Sequence, residues 1–137
     1  MPAEGVPRFS FTKLVVGDLG RMAAFYKAVY GLTEVGRYRA DLNGDPIEEI
    51  VLGGEGASSG LILLAYLDRE SATIGEVLLG FTTDNVTALF ERGVAAGGSV
   101  WAELKDPGLA GVALVGFLAD PEGHVAEVVQ MEAAQQR

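Results

Sequence analysis

The chain has 137 residues, enough for one packed core, and 49% of them are hydrophobic, which argues against disorder. Its net charge of −9 is spread along the sequence, so no concentrated basic face is available for nucleic acid. Cysteine is absent, which excludes disulfides and thiolate chemistry. No apolar run is as long as a membrane span, and "MPAEGVPRFS" lacks the regions of a signal peptide, so the expectation is a soluble, cytoplasmic protein.

In chain order, "FTKLVVGDLGRMAAFYKAVYGLTEV" (11–35) reads as a strand, a turn at Gly17-Asp18, an amphipathic helix, a stop at Gly31 and a new strand. Met22, Phe25, Tyr26 and Val29 share one helical face. Strand candidates follow at 34–40, 47–53 and 60–66, separated by "LNGDP" and by the glycine-rich "GGEGASSG", which opens no helix and reads as a hairpin loop. The order then recurs about 66 residues later in "VLLGFTTDNVTALFERGVAAGGSVW" (77–101), with Val86, Leu89, Phe90 and Val94 on one face and a stop at Gly97-Gly98. Strand candidates at 99–104, 111–118 and 124–130 complete it. Asp18 and Asp84 stand where an N-cap oxygen is wanted, which places helices near 19–30 and 85–96. The repeat predicts an α+β fold of two βαβββ modules, about 9–66 and 77–131, in a single domain spanning 1–137. Each helix is expected to cover one face of its sheet, leaving the other faces paired around a cleft.

Strand alternation assigns sides. With Leu14 and Val16 turned to the helix, Phe9, Phe11, Lys13 and Val15 face the cleft. Leu61, Leu63 and Ala65 are assigned to it from the fourth strand, Leu78, Gly80 and Thr82 from the fifth, and Val125, Glu127 and Val129 from the eighth. The surface is mostly apolar with Lys13, Thr82 and Glu127 as polar groups, the make-up of an organic-ligand pocket. Trp101 on the sixth strand stacks on a planar ligand or packs in the ordinary way. Alternation turns one of Glu48 and Glu49 inward without saying which. His124, the only histidine, reads as a turn residue beside Gly123 rather than a base.

The repeat, together with "LVVGDLGRMAAFYKAVYGL", "FTTDNVTALFERGVAAGG" and "DPEGHVAEVVQ", resembles the vicinal oxygen chelate superfamily, which includes glyoxalase I, bleomycin resistance proteins and extradiol dioxygenases. The resemblance covers about residues 9–131 and implies the paired-sheet cleft, a small organic ligand and a homodimer. In metal-dependent relatives four strand positions supply His or Glu ligands to one divalent cation. Here those positions hold Phe11, Leu63, Leu78 and Glu127, so three of the four have no lone pair to give. Glu76, two residues before Leu78, is the one exception nearby. The expectation is therefore no metal and no cofactor.

A carboxylate on an apolar strand needs a partner, because desolvating it alone is costly. For Glu127 the candidates are Lys13, bound water and a ligand group. Three functions compete. One is a metal-free small-molecule binder. Another is a metal-independent isomerase, epimerase or cyclase, or a lyase, acting on a carbonyl compound with Glu127 as general acid or base. The third, a metal-dependent lyase or dioxygenase, is disfavoured by the missing ligands. Against all three, Phe11, Leu63 and Leu78 could simply fill the cavity, leaving Glu127 a relic at its mouth.

Overall fold

A computed structural model describes residues 5, 9–54, 60–70 and 77–133. The elements in order are β1 (Phe11–Val15), α1 (Leu19–Tyr30), β2 (Thr33–Leu42), β3 (Asp45–Gly53), β4 (Gly60–Tyr66), β5 (Leu78–Thr83), α2 (Val86–Ala95), β6 (Ser99–Lys105), β7 (Val112–Ala119) and β8 (Val125–Met131). This is the expected pair of βαβββ repeats, each forming a four-stranded mixed sheet. The strand orders are β1-β4-β3-β2 and β5-β8-β7-β6, with the first two strands of each order parallel. No helix among the described residues is long and apolar enough to cross a membrane.

The contacts divide the chain into two units. The first unit holds residues 1–19 and 32–71, and therefore the first sheet. Its β2–β3 hairpin turns through Asn43 and Gly44, both with positive φ (51° and 93°), the pairing of residues that a two-residue turn between twisted strands requires. Asp41 Oδ2 accepts from Gly44 N at 3.1 Å and closes the turn. Ile50, Leu52 and Leu63 are fully buried on one face of this sheet.

The second unit holds residues 20–31 and 72–137. α2 begins after Asn85, whose side chain accepts from Ala88 N at 3.1 Å, so the cap is Asn85 and not the neighbouring Asp84. Val86 N donates to Gln130 Oε1 at 2.9 Å, which ties the helix start to β8. The helix buries Val86, Leu89, Phe90 and Gly93, whereas Val94, expected on that face, is half exposed. Gly93 takes its place because a Cβ there would meet Leu118 Cδ2 at 2.5 Å, so the helix backbone lies close on the sheet.

α1 corrects the expectation that each helix belongs with the sheet of its own repeat. Residues 20–31 group with the second unit. Tyr26 OH donates to Asp120 Oδ2 at 2.9 Å, Val29 O accepts from Arg92 Nε at 2.8 Å, and the Tyr30 ring stacks on Phe81 at 3.7 Å between centroids. Met22, Phe25, Tyr26 and Val29 are buried, as their spacing predicts.

Past α2, the chain has to double back within two residues. Gly97 has φ 101°, and Gly98 N donates to Gly93 O at 2.9 Å. A Cβ on Gly98 would lie 2.6 Å from Ala119 O and 3.0 Å from Gly93 O, both backbone atoms with little freedom to move. Gly98→Ala is expected to destabilise the fold by about 1–3 kcal/mol in urea denaturation. Gly80→Ala, whose Cβ meets nothing within 4 Å, should change stability by less than about 0.5 kcal/mol.

Candidate functional site

Residues paired in a parallel ladder point to the same side, so the β5–β8 register assigns one face of the second sheet. Leu78 pairs with Val125, Gly80 with Glu127, and Thr82 with Val129. These six share a face, as alternation predicts. Phe117 on β7 lies opposite Glu127 and joins them, and Trp101 meets the Phe117 ring edge-on at 5.7 Å. The other face carries Leu118, Ala126 and Val128, all at most 2% exposed, and packs towards α2. By contrast, Leu78 and Trp101 are 57% and 63% exposed. Glu127 is half-buried in this apolar surface and makes no hydrogen bond or ion pair among the described residues. Phe117 was not singled out from the sequence, because only the β7–β8 register sets it beside the carboxylate.

On the first sheet β1 turns Phe11, Lys13 and Val15 outward, and the first of these is 50% exposed. Here the sequence reading needs correction. Phe11 pairs with Gly60, Lys13 with Ile62 and Val15 with Leu64, so Ile62 and Leu64 share their face. Leu61, Leu63 and Ala65 lie on the opposite face with Thr12 and Leu14, and Leu63 is fully buried. Alternation fixes parity within a strand, but the register between strands decides which parity meets which.

The same register settles the two adjacent glutamates of β3. Glu49 lies opposite Leu64 and therefore on the face of Lys13, whose Nζ is 2.6 Å from Glu49 Oε2. Glu48 lies on the other face, opposite Arg39. Oε2 of Glu49 is buried with no aligned hydrogen-bond donor, so the ammonium is its compensation. Lys13 thus has its counter-charge on its own sheet, in Glu49.

Neither sheet, among its described residues, assembles a set of metal-ligating side chains of its own. The second sheet offers one carboxylate on its open face, and the carboxylate on the first is engaged by Lys13. Among the described residues, no three His, Cys, Asp or Glu side chains come together as a metal would need. Glu76 and the loop residues 55–59 lie outside the described residues.

The start of β8 is held by the turn that the sequence placed at 120–123. Asp120 is 4% exposed, yet fully supplied with donors. Its Oδ1 accepts from Glu122 N at 2.9 Å and His124 N at 3.0 Å, while Oδ2 takes Tyr26 OH at 2.9 Å and lies 2.8 Å from His124 Nδ1. Burial alone would raise the Asp120 pKa, but the hydrogen bond and charge of His124, with the Tyr26 and backbone donors, outweigh it and hold it below 3.8. Burial, reinforced by the Asp120 charge, pushes the Tyr26 phenol far up, so it remains a donor. His124 is therefore a turn residue, as read, but it is also half of a buried pair.

A model of the Glyoxalase/Bleomycin resistance protein/Dioxygenase superfamily matches residues 8–128. The chain is 30% identical over 133 residues to lactoylglutathione lyase GLX1 of Arabidopsis thaliana, covering 94% of this chain but only 46% of that protein. It thus spans about half the length of this curated relative. A glyoxalase-related enzyme from Fulvimarina pelagi is 26% identical, with TM-score 0.65 over 91% of this chain and 88% of that one. A glyoxalase family protein from Bacillus cereus superposes at TM-score 0.79 over 96% and 98% of the two chains, with 15% identity. Glyoxalase I from Zea mays gives 0.73 at 23% identity, over 90% of this chain and 44% of that one. The last two likenesses concern the fold alone.

The Asp120 cluster makes a signed pH prediction. A carboxyl whose pKa is lowered on folding contributes stability above its unfolded value and loses it as pH falls through the folded one. Urea denaturation should show this contribution intact above about pH 4 and declining below it, with a shallower decline in Asp120→Asn. Tyr26→Phe should cost about 1.5–3 kcal/mol at neutral pH.

Proposed function

Since the chain belongs to the Glyoxalase/Bleomycin resistance protein/Dioxygenase superfamily, we propose that it is a metal-free binder of a small organic molecule, anchored by Glu127. One observation carries the reading. Glu127 is withdrawn from much of the solvent among Leu78, Val125, Val129 and Phe117, and no described group offsets its charge. A ligand that brings a donor or a cation to this carboxylate recovers its desolvation cost. Gly80, paired with Glu127, has nothing within 4 Å of its Cβ position and leaves room for such a group. Leu78 and Trp101 supply exposed apolar contact, and Thr82 a hydroxyl. On the first sheet, Phe11 and Lys13 share one exposed face, and Leu63, a buried residue of the opposite face, is dropped from the set.

A second reading uses the same carboxylate as a general acid or base in a metal-independent isomerase, epimerase, cyclase or lyase. That no described residue pairs with Glu127 favours it, since a base already committed to an ion pair has less to offer a substrate proton. The partial similarity to a lactoylglutathione lyase is compatible with a carbonyl-containing substrate. Neither reading needs a cofactor, and both are taken to operate in the cytoplasm. Turnover lost in Glu127→Gln with binding retained would favour the enzyme over the binder.

Homodimerisation is part of the proposal. Phe9, just before β1, and Phe11, Leu78 and Trp101 on the strands are each at least half exposed, and large apolar groups left in water are an argument for a covering partner. Sedimentation at micromolar concentration should give a dimer; a single 14.4 kDa species would count against it.

Mass spectrometry of the purified protein should identify a co-purifying organic molecule. Its affinity should survive exhaustive dialysis against a chelator and fall by about 1–3 kcal/mol in Glu127→Gln, with the fold unchanged. Unaltered affinity in that variant, or loss of binding on chelation that zinc or nickel restores, would overturn the reading.

A further inference from the structure

The helix-facing side of the second sheet, opposite the face of Glu127, carries a cavity of its own. Gly116 on β7 is its starting point. A Cβ there would meet Leu104 Cδ2 at 2.6 Å and Phe90 Cζ at 2.7 Å, so the missing side chain lets both groups settle onto the strand. The edge strand β6 pairs irregularly with β7, with breaks in register between Val100 and Ala102 and between Ala102 and Lys105. Between α2 and this strand lies an open groove of about 520 Å³. That volume is in the range of small-molecule sites and small for a docked helix.

Its floor and walls are Phe90, Val94, Val100 and Leu104, and its polar lining is Thr87, Glu91 and Glu103. Val94 and Val100 are 50% and 37% exposed, so apolar surface is left in water there. Glu91 and Glu103 make no hydrogen bond or ion pair with any described residue, and no basic side chain lines the groove. Arg92, the nearest cation in sequence to Glu91, donates instead to Val29 O at 2.8 Å. Apolar walls flanked by two exposed carboxylates that pair with no described residue suit a ligand with an apolar body and a positive charge. The net charge of −9 raises the local concentration of such cations.

We infer that the α2–β6 groove binds an organic ammonium carrying a ring-sized apolar body. This site is separate from the Glu127 face and stands whether or not the reading of that face holds. Neutral or anionic ligands of the same shape bind it more weakly.

(1-Naphthylmethyl)ammonium is a suitable probe, with 1-naphthalenemethanol and 1-naphthylacetate as its neutral and anionic counterparts. In a nitrogen-15 NMR titration of the full chain, the ammonium should give saturable shifts at the amides of Thr87, Val94, Val100 and Leu104. The double variant Glu91→Gln/Glu103→Gln, altered only at exposed positions, should weaken that binding about fivefold and leave the alcohol unaffected. Val94→Arg should abolish it, its unliganded spectrum reporting whether the fold is kept, while Glu127→Gln should not change these shifts. Shifts confined to Gly80, Thr82 and Glu127, equal binding of the acetate, or unchanged affinity in the double glutamine variant would each overturn the inference.

Discussion

The turn that Asp120 clamps determines where β8 begins, and the direction of every side chain on the second sheet follows from that starting point. β8 is one of the two interior strands and pairs with both β5 and β7. A slip of one residue would exchange Glu127 for Ala126 or Val128 and drive the carboxylate into the layer beneath α2. Asp120 prevents the slip by holding two amides, a phenol and an imidazole around one buried carboxylate. The tie to Tyr26 means that the same group also fixes α1.

Three carboxylates show how differently one cost can be met. Asp120 is surrounded by donors and is structural. Glu49 is matched by a single ammonium, a pairing strong in charge and poor in hydrogen-bond geometry. Glu127 has neither within the described residues. Desolvation makes the first two comprehensible as parts of the fold and leaves the third as the group with capacity to spare for something outside it.

Much of this was legible in the sequence, and what was not had a common cause. The repeat predicts both helices and all eight strands, and β5 and β8 alternate in phase because their contents (Leu-Leu-Gly-Phe-Thr and Val-Ala-Glu-Val-Val) agree on which parity is apolar towards the helix. β4 carries leucine or isoleucine at four consecutive positions, Leu61 to Leu64, so its composition says nothing of its parity. Leu63 was misassigned for that reason. The grouping of α1 with the second unit depends on Asp120, Arg92 and Phe81, none of which is near it in sequence. Asp84 and Asn85 are both competent caps, and only the geometry chooses Asn85.

The grouping of α1 also bears on how the chain can be assembled during synthesis. Its hydrogen-bond partners lie 63 and 94 residues downstream, so α1 leaves the ribosome long before Arg92 and Asp120 exist to receive it. Until then Met22, Phe25 and Val29 have to be sheltered by transient contacts or by a chaperone. Nor can the two units be separated by a single scission. A cut between the repeats leaves α1 on the piece that lacks its hydrogen-bond partners, and the other piece with Asp120 and Arg92 deprived of theirs. The halves of the sequence look like independent copies, but neither half contains all of the partners that its own elements use.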